Sequence, residues 1–401
     1  MNIVFVAPYA MAATVRFVRA VADVPDARVF AVSSDPIERF GDTPIAGHWQ
    51  LDDCLDVDSL TGAVAEVGQR VGGVDCLLGI LENLQVQLGE VRRRLGIAGI
   101  GPDVAENFRD KARMKAAFDA AGVPCARSRR VASGQEALTF AEDIGYPFVA
   151  KPLAGAGARN TFRVDSMARL GDWLAASPPT ATQPMLLEEF MTGQEHSFDS
   201  VVIDGQMVWH SISRYLPSPL DVLEHPWIQW CVLLPRRIDN LGDIVDIARR
   251  GLRALGQPDG LSHMEWFRRP DGSVAISEVG ARPPGSQFMT LMSYAHDTDL
   301  YGAWARLMVH GQFDPPSRQY ACGGAYLRAQ GSGHTITAIE GLDRVSEETR
   351  SRVVEVSLPL ARAAPTGTYD GDGYIVVRDP ETEAVEAALT EIISTVRVAV
   401  A

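Results

Sequence analysis

The chain has 401 residues, 46% of them apolar and 22% charged, with a formal net charge of −14. That length exceeds one ordinary core and implies about two to four domains of a globular protein, while the acidic balance, with no Lys/Arg cluster interleaved with aromatics, excludes the electrostatic footprint of nucleic-acid binding. Five scattered cysteines (Cys54, Cys76, Cys125, Cys231, Cys322), odd in number and without a CxxC pattern, read as buried thiols in a reducing compartment, so a cytoplasmic protein is expected.

The apolar N-terminus, MNIVFVAPYAMAATVRFVRA, lacks the basic region of a signal peptide, and Pro8 interrupts its apolar run. A buried strand over residues 3 to 7, a loop and a helix are expected instead. No apolar run reaches the roughly 18 residues of a transmembrane helix, so no membrane association is expected. NIVFVA, ARVFAVSS and DCLLGIL read as buried parallel strands with helices between them, an open α/β domain over residues 1–102. No GxGxxG follows the first strand, so no dinucleotide is implied. Glu82 lies at the C-terminal end of its strand, the edge where open α/β sheets bind ligands; an acid opening a helix is the commoner explanation.

DVAENFRDKARMKAAFDAAGVP predicts one helix closing on Gly122, with Lys111 and Lys115 on one face. Ser133 to Glu136 forms a capping box for a helix running to Gly145. Pro147 opens the strand PFVAK, which ends on Lys151; a glycine-rich loop and a strand near TFRV follow. MLLEEFM reads as a strand, and HSFDSVVI and QMVWHSIS as strands joined by the hairpin turn Asp204-Gly205. A helix over about 241–256 precedes the hairpin SHMEWFRRPDGSVAISEV, and a long helix spans about 287–311. Residues 316–401 read as a C-terminal α+β accessory region, with strands GGAYLRAQ and GYIVVRD and a last helix from Glu381.

The second hairpin carries chemistry. A two-residue type I′ turn at Asp271-Gly272 places Pro270 opposite Ser273, Glu265 opposite Glu278 and His263 opposite Gly280. Carboxylates so opposed are roughly 5 Å apart at Cβ and repel. A divalent cation between them would relieve this, and hard oxygen ligands favour Mg²⁺, with Mn²⁺ an alternative. Two solvent-exposed acids on a surface hairpin are the competing reading. In KPLAGAGARNT the lysine precedes the glycines and a strand follows, so this is not a Walker loop. Gly155, Ala156 and Gly157 would let backbone N–H groups approach phosphate oxygens; a plain glycine-rich turn is the alternative.

Asp110-Lys111, AGVPC, GYPFVAKP, the glycine-rich loop, LLEEFMTGQEHSFD, HMEW and ISEVGAR occur together in the order and spacing of the ATP-grasp superfamily. Over roughly residues 103–312 the chain resembles that family, and its EVGARPPG ending is similar to carboxylate–amine ligases of the L-amino-acid ligase and carnosine-synthase type. The resemblance implies an ATP-grasp fold with a small subdomain at 103–185 and a large subdomain at 186–315. It implies that Lys111 and Lys151 bind ATP phosphates under the lid formed by residues 154–159. Glu188 and the backbone of Glu189, Phe190 and Met191 would meet adenine, and Glu195 the ribose; surface acids on a strand or turn are the alternative for Glu188 and Glu195. Glu265 and Glu278 would ligate Mg²⁺, and Arg282 would stabilise acyl-transfer species. Arg328, in YLRAQGSG, is a candidate contact for a phosphate or a substrate carboxylate, an ordinary salt-bridging arginine being the alternative. Gly280 departs from the Asn that many members use for a second metal, which opens that site to a water or to His263; packing beside the site is the plainer role for His263.

The implied activity is ADP-forming condensation of a small carboxylate, such as an amino acid, with an amine through an acyl phosphate, in a protein expected as a homodimer. A carboxylase or ligase of nucleotide-precursor metabolism, and an inactive ATP-binding regulator, are the alternatives. Retention of both lysines, both acids and Arg282 argues against the last. Residues 213–237 are expected to lie by the site and shape the substrate pocket, with ordinary packing an equal reading for Trp227, Trp230 and His225.

Overall fold

The computed structural model describes residues 1–155, 160–225, 227–238, 241–256, 258–331 and 333–401. The apolar N-terminal runs form strands β1 (Asn2–Val6), β2 (Arg28–Ser33), β3 (Gly47–Gln50) and β4 (Cys76–Leu78), all parallel, in the order β3-β2-β1-β4. Alternation along β1 divides two cores. Ile3 and Phe5 pack with Phe17, Met292 and Trp304, whereas Val4 and Val6 pack with Leu60, Val64 and Leu88. The first core reaches far along the chain: the Phe17 and Trp304 ring centroids lie 4.9 Å apart, edge to face. The N-terminal sheet is thereby fixed to the helices at 288–310.

A second, antiparallel sheet joins β5 (Ser128–Val131), β6 (Phe148–Pro152), β7 (Phe162–Val164) and β8 (Met185–Glu189) in the order β5-β8-β6-β7. Helices Gly134–Ile144 and Met167–Ala176 begin at Ser133 and Ser166, whose side chains accept hydrogen bonds from Glu136 and Arg169 backbone N–H groups. Phe140, Leu170 and Trp173 then cover this sheet.

The third sheet contains β9 (Gln194–Ile203), β10 (Gln206–Leu216), β11 (Trp230–Leu234), β12 (Gly260–Arg268), β13 (Val274–Gly280) and β14 (Ala321–Leu327). Beyond β15 (Ile336–Glu340) come β16 (Val353–Ser357), β17 (Gly373–Asp379) and β18 (Arg397–Val400). Eight strands run antiparallel in the order β13-β12-β9-β10-β11-β14-β17-β16, and β15 pairs with β18 alone. The C-terminal residues therefore extend the large sheet by three strands, and helix Thr382–Thr395 packs on it through Val385, Leu389 and Ile392. The Asp204-Gly205 turn is a two-residue hairpin, with Ile203 opposite Gln206 and positive φ at both turn residues. No helix among the described residues is long and apolar enough to cross a membrane.

Two predicted helices are each broken in two. Helix Pro102–Arg109 stops at Asp110, whose side chain accepts from the N–H groups of Ala112 and Arg113 and so starts helix Lys111–Ala120. The predicted 287–311 helix is Phe288–His296 followed by Leu300–His310. Asp297 ends the first in the left-handed region at φ 51°, and Asp299 caps the second by accepting from Gly302 N–H. In both cases an aspartate offers the backbone a local partner that competes with helix continuation.

Candidate active site

The large sheet ends in the β12–β13 hairpin, and its register brings the acids together. Glu265 pairs with Glu278 and His263 with Gly280, as expected, but by a different route. The turn spans three residues, not two: Arg269 N–H donates to Ser273 at 2.9 Å, Gly272 N–H donates to Arg269 at 2.9 Å, and only Gly272 of the turn has positive φ, at 84°. Near the turn Arg268 thus faces Val274 and Trp266 faces Ile276. A β-bulge at Ser277 then adds one residue to β13. Without it Glu278 would share the buried face of Met264 and Trp266; the bulge returns it to the face of Glu265.

Above this pair lie three lysines. Lys111, first residue of its helix, has Nζ 2.8 Å from Glu278 Oε1 and 3.1 Å from the Gly155 carbonyl, which also accepts from Arg109. Lys151, at the end of β6, pairs with Glu188 of β8. The second oxygen of Glu188 lies 2.9 Å from Lys115 Nζ, which also donates to the Ile276 carbonyl at 3.3 Å. Glu188, expected at adenine, thus has its carboxylate occupied as the anion of a buried triad, 4% exposed. Lys115 was legible only as sharing a face with Lys111. Burial alone would raise the Glu188 carboxyl; Lys115 and Lys151 outweigh it and hold the group at about 2. Burial opposes the charge of Lys151, but Glu188 and then Glu278 keep its pKa above the ordinary lysine value.

The facing acids are pushed apart. Burial raises Glu278, but Lys111 and Lys151 bring it below the ordinary carboxylate value. Burial, against His263 and together with Glu278, leaves Glu265 raised. Tyr215 donates its hydroxyl to Glu265 at 3.3 Å. His263 Nε2 lies 3.9 Å from Glu265, and its Nδ1 lies 2.7 Å from Asp199, which Ser197 Oγ contacts at 2.9 Å. Burial would lower His263, and Asp199 more than offsets that. His263 is therefore held beside the site by the Asp199 carboxylate.

Arg282 leaves the end of β13 and meets Glu82, which follows β4 of the N-terminal sheet, Nε to Oε2 at 2.5 Å. Glu82 does open a short helix, Glu82–Leu84, but its carboxylate reaches across to the site. At the end of β8, Glu189 pairs with Arg127 at 2.6 Å and Arg269 at 2.8 Å, and Arg163 stacks on Phe190 at 4.3 Å. Met191 is half-buried beside them. Glu195 is buried and lines a cavity of about 600 Å³ with Gln194, Tyr215, Asp221, Trp227 and Gln229. Burial, then Glu265 and Asp221, push its carboxyl well above the ordinary value. Arg328, the candidate anion contact, donates from Nε and Nη1 to the carbonyls of Thr368, Val222 and Ile228 at 2.7–3.0 Å. It straps the loops around the cavity. Ala156 and Gly157 lie outside the described residues.

Among the described residues no group of three or more acids, histidines or cysteines gathers as a metal cage. Two facing carboxylates, 30% and 27% exposed, form the donor set. That number suits Mg²⁺ held jointly with phosphate oxygens, and the neighbouring lysines suit the phosphates.

Residues 110–209 match the family model described as the carbamoyl-phosphate synthase L chain, ATP binding domain. The L-arginine-specific L-amino acid ligase of Bacillus subtilis is 24% identical over 277 residues, covering 67% of this chain and 66% of that one. The alanine–anticapsin ligase of Bacillus subtilis is 28% identical over 255 residues, covering 57% and 53%. The chain thus spans just under two thirds of the first relative and about half of the second. The crystal structure of an L-amino acid ligase from Bacillus licheniformis superposes with a TM-score of 0.80 at 20% identity, covering 100% of this chain and 98% of that one. An N5-carboxyaminoimidazole ribonucleotide synthetase from Thermotoga maritima superposes at 0.72 and 16%, covering 100% and 99%; likenesses at such identities establish the fold. The chain thus has the fold of an L-amino acid ligase, matches an ATP-binding domain over residues 110–209, and is similar in sequence to L-amino-acid ligases.

Proposed function

We propose that the protein is an ATP-dependent carboxylate–amine ligase that condenses small carboxylates, amino acids foremost, with an amine. The observation that carries this reading is the bulged hairpin that turns Glu265 and Glu278 to one face, beneath Lys111 and Lys151 and beside Arg282. An oxygen of the substrate carboxylate attacks the γ-phosphorus of ATP. The bond from that phosphorus to the β–γ bridging oxygen breaks, and ADP leaves. The neutral amine then attacks the acyl carbon, the carbon–oxygen bond to phosphate breaks, and the amine sheds a proton.

Glu265 and Glu278 would hold Mg²⁺, which when bound neutralises phosphate charge. Lys111 and Lys151 supply fixed positive charge to the phosphates, and Lys151 is aligned by Glu188. Arg282 meets the oxyanion that develops at the acyl carbon. The backbone around Glu189 to Met191 is the adenine seat and Glu195 the ribose contact. The cavity bounded by Tyr215, Asp221, Trp227 and Gln229 is the place for a substrate side chain.

A panel of amino acids with ATP and Mg²⁺, scored for ADP and for condensed product, tests the proposal. ADP release that depends on two amino acids and yields a dipeptide supports it. Full ADP release with bicarbonate and no amine would replace it with a carboxylase. Absence of ADP with every mixture would leave an ATP-binding regulator.

A further inference from the structure

Position 280 and residue 82 occupy one small space from opposite domains. A β-carbon built at Gly280 would lie 2.9 Å from Glu82 Oε2 and 3.5 Å from Arg282 Cγ. The same Glu82 oxygen accepts from Arg282 Nε at 2.5 Å. Arg282 Nη1 donates to the Pro283 carbonyl at 2.8 Å. These contacts fix two edges of a planar group. Among the described residues Nη2 has no partner, so it is the donor left to reach a reacting group.

Glu82 is itself held in place. It follows β4 in a tight turn, where Gln85 donates to the Gly79 and Leu81 carbonyls, both at 3.0 Å. The shared core through Phe17 and Trp304 fixes that turn relative to the segment after β13. Arg282 also lies within electrostatic reach of Glu278, whose oxygen pairs with Lys111. Without Glu82 the guanidinium would be left with the facing acids Glu265 and Glu278 within its electrostatic reach, at the expense of the metal pair.

We infer that Glu82 is the positioning residue of Arg282, and that Gly280 exists as the gap into which its carboxylate fits. The pair keeps Arg282 aimed at the reaction and off Glu278. This inference rests on the ligase reading for its kinetic consequence, and on geometry alone for the contact.

A double-mutant cycle of Glu82→Ala and Gly280→Ala in the full chain tests it, read by thermal midpoint and by ADP release. Gly280→Ala alone should lower the midpoint, because Glu82 must move. In the Glu82→Ala background the same change should cost little, and that non-additivity is the signature of direct contact. Glu82→Ala should lower kcat on the order of a hundredfold with little change in KM for ATP, since misplacing a group by about 1 Å costs that much; Glu82→Gln, which can still accept from Nε, should recover part of the loss. Strictly additive midpoints would overturn the contact, and unchanged kcat in an active enzyme would overturn the positioning role. If wild type released no ADP with any mixture, the ligase reading would fail while the midpoints would still decide the contact.

Discussion

Replacing Glu188 by glutamine removes the anion of the buried Lys115–Glu188–Lys151 triad while keeping its shape. The carboxyl is held at about 2 against an ordinary 4.5, a difference that corresponds to about 3 kcal/mol at neutral pH. Two ammonium groups would then face each other with no carboxylate between them, and breaking a buried pair in this way costs about 3–5 kcal/mol. The sign follows from the direction of the shift. A depressed carboxyl stabilises the fold fully above its unfolded value and loses that contribution as pH falls toward its folded value. The gap between wild type and Glu188→Gln should thus be about 3 kcal/mol at pH 7 and shrink to about 1 kcal/mol at pH 3. Urea unfolding followed by tryptophan fluorescence at the two pH values measures it. A variant within about 0.5 kcal/mol of wild type at pH 7, or a gap that does not shrink at pH 3, would refute the triad as a stabilising ion cluster.

Glu278→Gln should cut ADP release on the order of a hundredfold or more and raise the Mg²⁺ concentration needed for half activity; unimpaired turnover would remove Glu278 from the site. Arg328→Ala leaves three backbone carbonyls without their donor and should lower the urea midpoint by the equivalent of about 1–3 kcal/mol, with KM for ATP little changed; a selective rise in KM would restore it as a ligand contact. Asp199→Asn should move the His263 imidazole titration, read by NMR, to lower pH, because burial then acts without its opposing carboxylate. In wild type that pairing stabilises the fold below the ordinary histidine value and is lost as pH rises through the raised one, so the variant should flatten this part of the stability profile. An unchanged histidine titration would contradict the dyad.

The elements and the order of site motifs were readable because each is local: apolar periodicity, caps and turn residues lie within one window of the chain. The acids at 265 and 278 were paired correctly from a turn that is in fact one residue longer, and the bulge at Ser277 compensates. Its signal was present. Val274 and Ile276 share a face by alternation, and Val279 can join them only if a residue is inserted before it. The breaks at Asp110 and at 297–299 were likewise legible as N-cap aspartates inside helical periodicity. What the sequence could not supply is partnership over distance. Glu188 meets Lys115 from another element, Arg328 spends itself on three loops, and Glu82 reaches Arg282 from 200 residues away. Those pairings depend on how sheets dock, and their residue types alone are those of any surface charge.

Oxygen transfer from the substrate carboxylate into phosphate reads the proposed chemistry itself. With an amino acid labelled by ¹⁸O in its carboxylate, an amine partner, ATP and Mg²⁺, activation through an acyl phosphate must deliver one labelled oxygen to each inorganic phosphate released, because amine attack breaks the bond between the acyl carbon and that oxygen. Phosphate carrying one ¹⁸O for each amide formed is the expected result. Unlabelled phosphate alongside amide product, or label in AMP with pyrophosphate release, would contradict it.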